Sequence, residues 1–110
     1  SYEELKANAA AGAYGEVDMG GPMDVKTACD AESGAIKGIA SPVVGNANCL
    51  IFPDIEAGNT FYKTLTLFGG ATVAGMLVGT SAPVVVTSRA DTADSKFYSL
   101  ATACLKAINK

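Results

Sequence analysis

The segment Thr87-Ser88-Arg89-Ala90-Asp91-Thr92-Ala93-Asp94 gathers the chemically most capable side chains of the 110 residues. Arg89 is the sole arginine of the chain. It stays charged at any working pH, and its planar fork can hold a phosphate through two parallel hydrogen bonds. Ser88 beside it can donate to a carbonyl or phosphoryl oxygen. Asp91 and Asp94 either stabilise the start of a following helix or supply a general base within reach of a proton. The chain has no His, which excludes Ser-His and Cys-His catalysis and the common zinc sites from its own residues. No metal site is expected.

Two further polar segments follow apolar runs. In Phe52-Pro53-Asp54-Ile55-Glu56-Ala57-Gly58-Asn59, with Tyr62-Lys63 one turn on, Pro53 punctuates a strand and Asp54 reads as a helix cap. Gly58 and Asn59 are poor choices early in a helix, so they suggest close backbone approach to a ligand or a neighbouring domain. Val78-Gly79-Thr80-Ser81-Ala82-Pro83 is a small-residue loop. It resembles a phosphate cradle only distantly, and it lacks the G-x-x-x-x-G-K-[ST] pattern of a nucleoside-triphosphate site.

Elements that would carry these segments can be read from periodicity and punctuation. Residues 2–11 favour helix, with Glu3 and Glu4 at its start and Gly12 as a stop. Residues 16–19 suggest a short strand before Gly20-Gly21-Pro22, and residues 24–37 a partly exposed helix with a narrow apolar stripe. Residues 47–52 form a short apolar run without alternation, as expected of a strand buried on both faces of a parallel sheet. A helix over 56–68 should end at Gly69-Gly70, with strands over 73–78 and 84–87 after it. Phe97, Leu100, Ala101, Cys104, Leu105 and Ile108 share one stripe of a final helix that begins near a Thr92 or Asp91 cap. Strands alternating with helices predict an α/β fold with a mainly parallel sheet, helices on both faces, and ligands at the carboxyl ends of strands.

Composition narrows the classes of partner. A net charge of -3 argues against nucleic acid or an anionic membrane. The apolar runs are far shorter than the roughly 20 residues that span a bilayer. Ser1-Tyr2-Glu3-Glu4-Leu5-Lys6 is not a secretory signal, and the missing initiator Met suggests trimming. Cys29, Cys49 and Cys104 have no C-x-x-C spacing and are expected to be buried thiols of a cytoplasmic protein.

Together these segments resemble a known family. Ala47-Asn48-Cys49-Leu50-Ile51-Phe52-Pro53-Asp54-Ile55-Glu56-Ala57-Gly58-Asn59 with Tyr62-Lys63 is similar to the signature of the phosphate acetyl/butyryltransferases (phosphotransacetylases). The run from Val78-Gly79-Thr80-Ser81-Ala82-Pro83 through Ser88-Arg89-Ala90-Asp91 looks like the closing motif of the butyryltransferase branch. Gly21-Pro22-Met23-Asp24 and Pro42-Val43-Val44-Gly45-Asn46 fit as well, so the resemblance covers nearly the whole chain in order.

The resemblance implies reversible transfer of a short acyl group between coenzyme A and inorganic phosphate, without metal, bound cofactor or covalent intermediate, and with CoA as substrate. It implies a three-layer α/β sandwich like that of the isocitrate and isopropylmalate dehydrogenases, present here only as a C-terminal fragment. Residues 1–82 would belong to the second domain. Residues 83–110 would be a strand and helix that return to an N-terminal domain absent from this chain, which leaves Phe97, Leu100 and Cys104 without partners. The full-length protein is expected to be a homodimer.

By resemblance Ser88 and Arg89 bind the acyl and phosphate oxygens, while Asp54, Gly58, Asn59, Lys63, Thr80 and Ser81 contact substrate. Family acetyltransferases carry a Gly-Cys insert after Ser-Arg and paired acids near the helix start. Here Ala90-Asp91 follows the pair and Asp94-Ser95 occupies the acid positions, so the base is sought in Asp94, with Asp91 as the alternative. Two other readings compete: a non-catalytic module that binds CoA or a phosphate metabolite, and an oxidoreductase of the same fold. The second would need a metal-binding carboxylate cluster, which the Ser-Arg motif does not supply.

Overall fold

The computed structural model describes residues 1–109 and divides into two compact units, Ser1–Ile51 and the stretch from Phe52 onward. The first contains helices α1 (Tyr2–Ala10), α2 (Val25–Cys29) and α3 (Ala31–Lys37); the second contains α4 (Ile55–Leu67) and α5 (Ala93–Ile108).

In the first unit, α1 starts on a capping box between Ser1 and Glu4, and Gly12, at φ +78°, follows its last turn as expected. The single helix expected over 24–37 is instead two. Asp30 is at once the C-cap of α2 and the N-cap of α3, with an extended backbone at φ -131° and ψ 112°. Its carboxylate accepts from the Ser33 backbone N–H at 3.1 Å and from the Ser33 hydroxyl at 2.6 Å. Those two bonds give the backbone an alternative to continuing helix, which is why Asp breaks the run here.

Asp24 caps α2 in the same manner, accepting from the Thr27 N–H at 3.0 Å and the Thr27 hydroxyl at 2.9 Å, and it pairs with Lys37 of α3. These bonds, with Lys37 first among them, hold the Asp24 carboxyl well below the usual carboxylate range. Segment 43–47 packs on both short helices. The Gly45 N–H donates to the Thr27 carbonyl at 3.2 Å and the Ala47 N–H to the Ala28 carbonyl at 3.1 Å, while Gly34 leaves room for Val44. Thr27, Ala28, Ser33 and Gly34 are the buried residues of these helices.

In the second unit, Asp54 caps α4 by accepting from the Ala57 N–H at 2.7 Å, and the helix closes at Phe68, followed by Gly69 and by Gly70 at φ +64°. The Phe52 and Phe61 rings pack with centroids 5.1 Å apart. Thr92, not Asp91, caps α5.

The four segments expected as strands form no ladder among the described residues. One isolated bridge joins Leu77 to Val84, and it is antiparallel, with the Leu77 N–H donating to the Val84 carbonyl at 2.9 Å. The connection through 78–83 is too short for the crossover of a dozen or more residues that a parallel pair needs, so a hairpin-like turn is the geometry open to it. Gly79, at φ +86°, makes that turn.

Burial runs opposite to side-chain size. The α5 face that is covered carries Ser95 and Ser99, whereas Phe97 is 66%, Leu100 59% and Ile108 78% exposed. Cys29, Cys49 and Cys104 are all exposed, which corrects the expectation of buried thiols. Apolar neighbours in sequence suggested burial, but the described residues around them supply no second layer to enclose them.

Candidate functional site

Asn59, Tyr62 and Lys63 recur at i, i+3 and i+4 along α4, so they project from one face of the helix. That face lines an open hollow of about 440 Å³. Val86, Thr87, Ser88 and Asp91 form a second wall, and Val73, Gly75 and Ser99 complete the lining. Ser99 ties its part together: its hydroxyl donates to the Ser95 carbonyl at 2.7 Å and accepts from the Gly75 N–H at 2.9 Å.

The turn at 88–91 is closed by two reciprocal bonds. The Asp91 N–H donates to the Ser88 carbonyl at 3.1 Å, and the Ser88 N–H donates to Asp91 Oδ2 at 2.7 Å. The other carboxylate oxygen faces α4, where Oδ1 accepts from the Tyr62 hydroxyl at 2.7 Å and lies 3.7 Å from Lys63 Nζ. Lys63 Nζ also stands 4.4 Å from the Tyr62 ring centroid. The Asp91 side chain is only 14% exposed.

Two hydrogen bonds and a nearby ammonium favour the charged form of this carboxylate. The Tyr62 hydroxyl first, then the Ser88 N–H and the Lys63 charge, hold the Asp91 carboxyl below its ordinary value. The same bond acts in reverse on its partner: the Asp91 carboxylate pushes the Tyr62 phenol up. Each Asp91 oxygen thus carries one hydrogen bond, and together they brace the turn against α4; a lowered pKa weakens a carboxylate as a proton acceptor.

Because the folded pKa of Asp91 lies below its unfolded value of about 3.9, its stabilising effect is complete above that value and is lost as pH falls through the folded one. Asp24 and Asp30 are lowered too and add to the same acid-side slope. The expected result is therefore a difference: between pH 5 and 2 the Tm of Asp91→Asn falls less than that of the wild type, and parallel Tm curves would contradict the assignment.

Of the residues expected at the site, the hollow brings together Asn59, Lys63, Ser88 and Asp91. Arg89 lies on the same turn, exposed and with no hydrogen bond or ion pair among the described residues, so all its donors are free. Asp94 is exposed in the first turn of α5. Asp54 and Gly58 lie outside the lining. Asp54 is occupied as a cap, and a methyl on Gly58 would meet Phe52 at an ordinary 3.7 Å, so Phe52 does not demand glycine there. Thr80 and Ser81 also lie outside the hollow, exposed, with the Thr80 hydroxyl donating to the Ala82 carbonyl at 2.7 Å. Tyr62 and Ser99 were not expected as site residues. The i, i+3, i+4 spacing from Asn59 was the signal for Tyr62; nothing in the sequence marked Ser99.

Among the described residues no three His, Cys, Asp or Glu side chains cluster to hold a metal ion, and no helix is long and apolar enough to cross a membrane.

A family model described as "Phosphate acetyl/butaryl transferase" matches residues 7–104. The phosphate butyryltransferase of Clostridium acetobutylicum is 47% identical over 90 residues, covering 82% of this chain and 30% of that protein. The phosphate acetyltransferase of Rhizobium meliloti is 44% identical over 90 residues, covering 82% of this chain and 28% of its own length. The crystal structure of a branched-chain phosphotransacylase from Enterococcus faecalis V583 superimposes with a TM-score of 0.69 at 48% identity, over 76% of this chain and 32% of that one. The chain thus spans about 30% of the length of the curated relatives it matches. The motifs around Asp54 and Ser88 and the match over residues 7–104 converge on one assignment: the chain belongs to the phosphate acetyl/butaryl transferase family.

Proposed function

We propose that this chain is the C-terminal part of a phosphate acyltransferase that moves a short acyl group, butyryl or a near relative, reversibly between coenzyme A and inorganic phosphate. The observation that carries the reading is the braced 88–91 turn facing Asn59 and Lys63 across the hollow. Phosphate and acyl phosphate are small anions rich in acceptor oxygens, and the turn offers hydroxyl and guanidinium donors while Lys63 adds positive charge.

In the acyl-phosphate-forming direction a phosphate oxygen attacks the thioester carbonyl carbon, the C–S bond breaks, and CoA leaves as its thiolate. Negative charge builds on the carbonyl oxygen as the attack proceeds. The Ser88 hydroxyl accepts from the Ala90 N–H at 3.4 Å, which leaves its own proton free to donate to that oxygen. Arg89 and Lys63 offset the phosphate charge. In reverse, Asp94 takes the proton of the CoA thiol as the sulfur attacks acyl phosphate, a role for which its exposed carboxylate is better suited than the occupied Asp91.

The remaining two thirds of a family-length protein would supply an N-terminal domain, the rest of the cleft, and strands that complete a mainly parallel three-layer sheet with segments 47–52, 73–78 and 84–87. Residues 1–82 would belong to the second domain, with 83–110 crossing back to the first. The exposed Phe97, Leu100 and Ile108 support that arrangement, since large apolar side chains at 59–78% exposure ordinarily meet a partner surface. We further infer a cytoplasmic homodimer that needs no bound cofactor.

The test is hydroxylamine trapping of acyl phosphate made by the full-length protein from butyryl-CoA and phosphate. Formation of the hydroxamate is expected. Thermal stabilisation by CoA with no product from any short acyl-CoA would favour a binding module of the same fold.

A further inference from the structure

Among the described residues, Tyr62 is the one that joins the two walls of the hollow through a neutral hydrogen-bond donor. Its hydroxyl reaches Asp91 Oδ1 at 2.7 Å, and Asp91 Oδ2 in turn receives the Ser88 N–H at 2.7 Å. A chain of two hydrogen bonds therefore runs from α4 to the backbone of Ser88, a residue that lines the hollow. The remaining links of the turn are local, within 88–91. Lys63 approaches the same carboxylate oxygen only at 3.7 Å and is itself 43% exposed, so it adds charge but little direction.

We propose that Tyr62 is a positioning residue: acting through the Asp91 carboxylate, it anchors the 88–91 turn to α4 and so fixes where the Ser88 hydroxyl and Arg89 meet the substrate oxygens. The proposal rests on the acyl-transfer reading above and adds a residue and a mechanism of orientation to it. Without the hydroxyl the turn keeps its internal bonds but loses its direct hydrogen bond to the helix that carries Asn59 and Lys63. Donors aimed at a developing oxyanion lose effect steeply when misplaced, and a displacement of about 1 Å can cost roughly a hundredfold in rate. The raised Tyr62 phenol and the lowered Asp91 carboxyl are the electrostatic imprint of the same contact.

The experiment uses the full-length protein with tyrosine carbon-13 labelled at Cζ, the Tyr62 resonance being identified by its loss in Tyr62→Phe. The wild-type Tyr62 signal should titrate above the ordinary tyrosine value of about 10 and move back toward it in Asp91→Asn. An ordinary wild-type titration would overturn the proposal whatever the variants do. In steady-state assays Tyr62→Phe should lose about ten- to a hundredfold in kcat, with KM nearly unchanged and the limbs of the pH–rate profile in place. The Tyr62→Phe, Asp91→Asn double variant should be no slower than the slower single variant, because both substitutions cut one chain. A displaced limb in Asp91→Asn would make Asp91 the base and overturn the brace, and additive losses would overturn the shared route. An active wild type with full kcat retained in Tyr62→Phe would overturn the positioning role alone. An inactive wild type with the coupled titration intact would instead overturn acyl transfer, and with it the task assigned to Tyr62.

Discussion

Arg89→Ala in the full-length protein is expected to lower kcat/KM for butyryl-CoA and phosphate by about a hundred- to a thousandfold, the scale of removing one preorganised group that offsets charge at the reacting phosphate. The same variant should unfold at the wild-type Tm. Both halves follow from the setting of the side chain: Arg89 is exposed and has no partner among the described residues, so its loss breaks nothing in the fold. Side chains fixed by structural bonds would behave oppositely, as Asp24 and Asp30 illustrate: both accept as helix caps, and Asp24 also pairs with Lys37. Lys at position 89 should recover only part of the rate, because a point charge cannot reproduce the planar two-bond grip on a phosphate. An unchanged kcat/KM in Arg89→Ala would remove the residue from the site.

Gly45→Ala should give the largest loss of stability, about 2–5 kcal/mol from the combined cost of a left-handed alanine and of overpacking. Gly45 has φ +72°, and a methyl there would stand 2.6 Å from the Ala31 backbone nitrogen, which cannot move without shifting the start of α3. Gly38 provides the control. Its φ of +64° carries the same backbone penalty, yet a methyl would meet nothing within 4 Å. Gly38→Ala should therefore cost only about 1–2 kcal/mol. Urea unfolding of the two variants separates the terms, and equal midpoints would show that close packing at Gly45 contributes nothing.

The helices were legible because their ends are written in side chains that satisfy backbone groups. Asp54 and Thr92 cap α4 and α5, and Gly69-Gly70 follows α4, as their types require. Asp30 escaped notice because the residues on either side of it are helix-compatible, and only its bonds to Ser33 reveal the break. Strand segments are a different matter. A run such as 84–87 announces an extended backbone, but its ladder depends on partners far away in sequence, and among the described residues only Leu77 and Val84 pair. The α5 stripe was read correctly as apolar and helical, while which side of α5 is covered here, that of Ser95 and Ser99, could not be derived from periodicity.

At the site, residue type pointed to Ser88, Arg89, Asn59 and Lys63, of which Ser88, Asn59 and Lys63 line the hollow and Arg89 lies on the same turn. It could not divide the labour between Asp91 and Asp94. Both are carboxylates near a helix start, and only the structure reveals that Asp91 has both oxygens engaged while Asp94 faces solvent. Thr80 and Ser81 were singled out by type as well, and the structure places both outside the hollow, with the Thr80 hydroxyl donating to the Ala82 carbonyl within its own turn.

Acyl transfer from CoA to phosphate is the activity proposed above for the protein containing this chain. The most direct measurement is the rate of free CoA thiol release from butyryl-CoA by the full-length protein, with and without inorganic phosphate. Rapid release that requires phosphate and collapses in Arg89→Ala is expected. Release at the same rate without phosphate, or none with any short acyl-CoA, would contradict it.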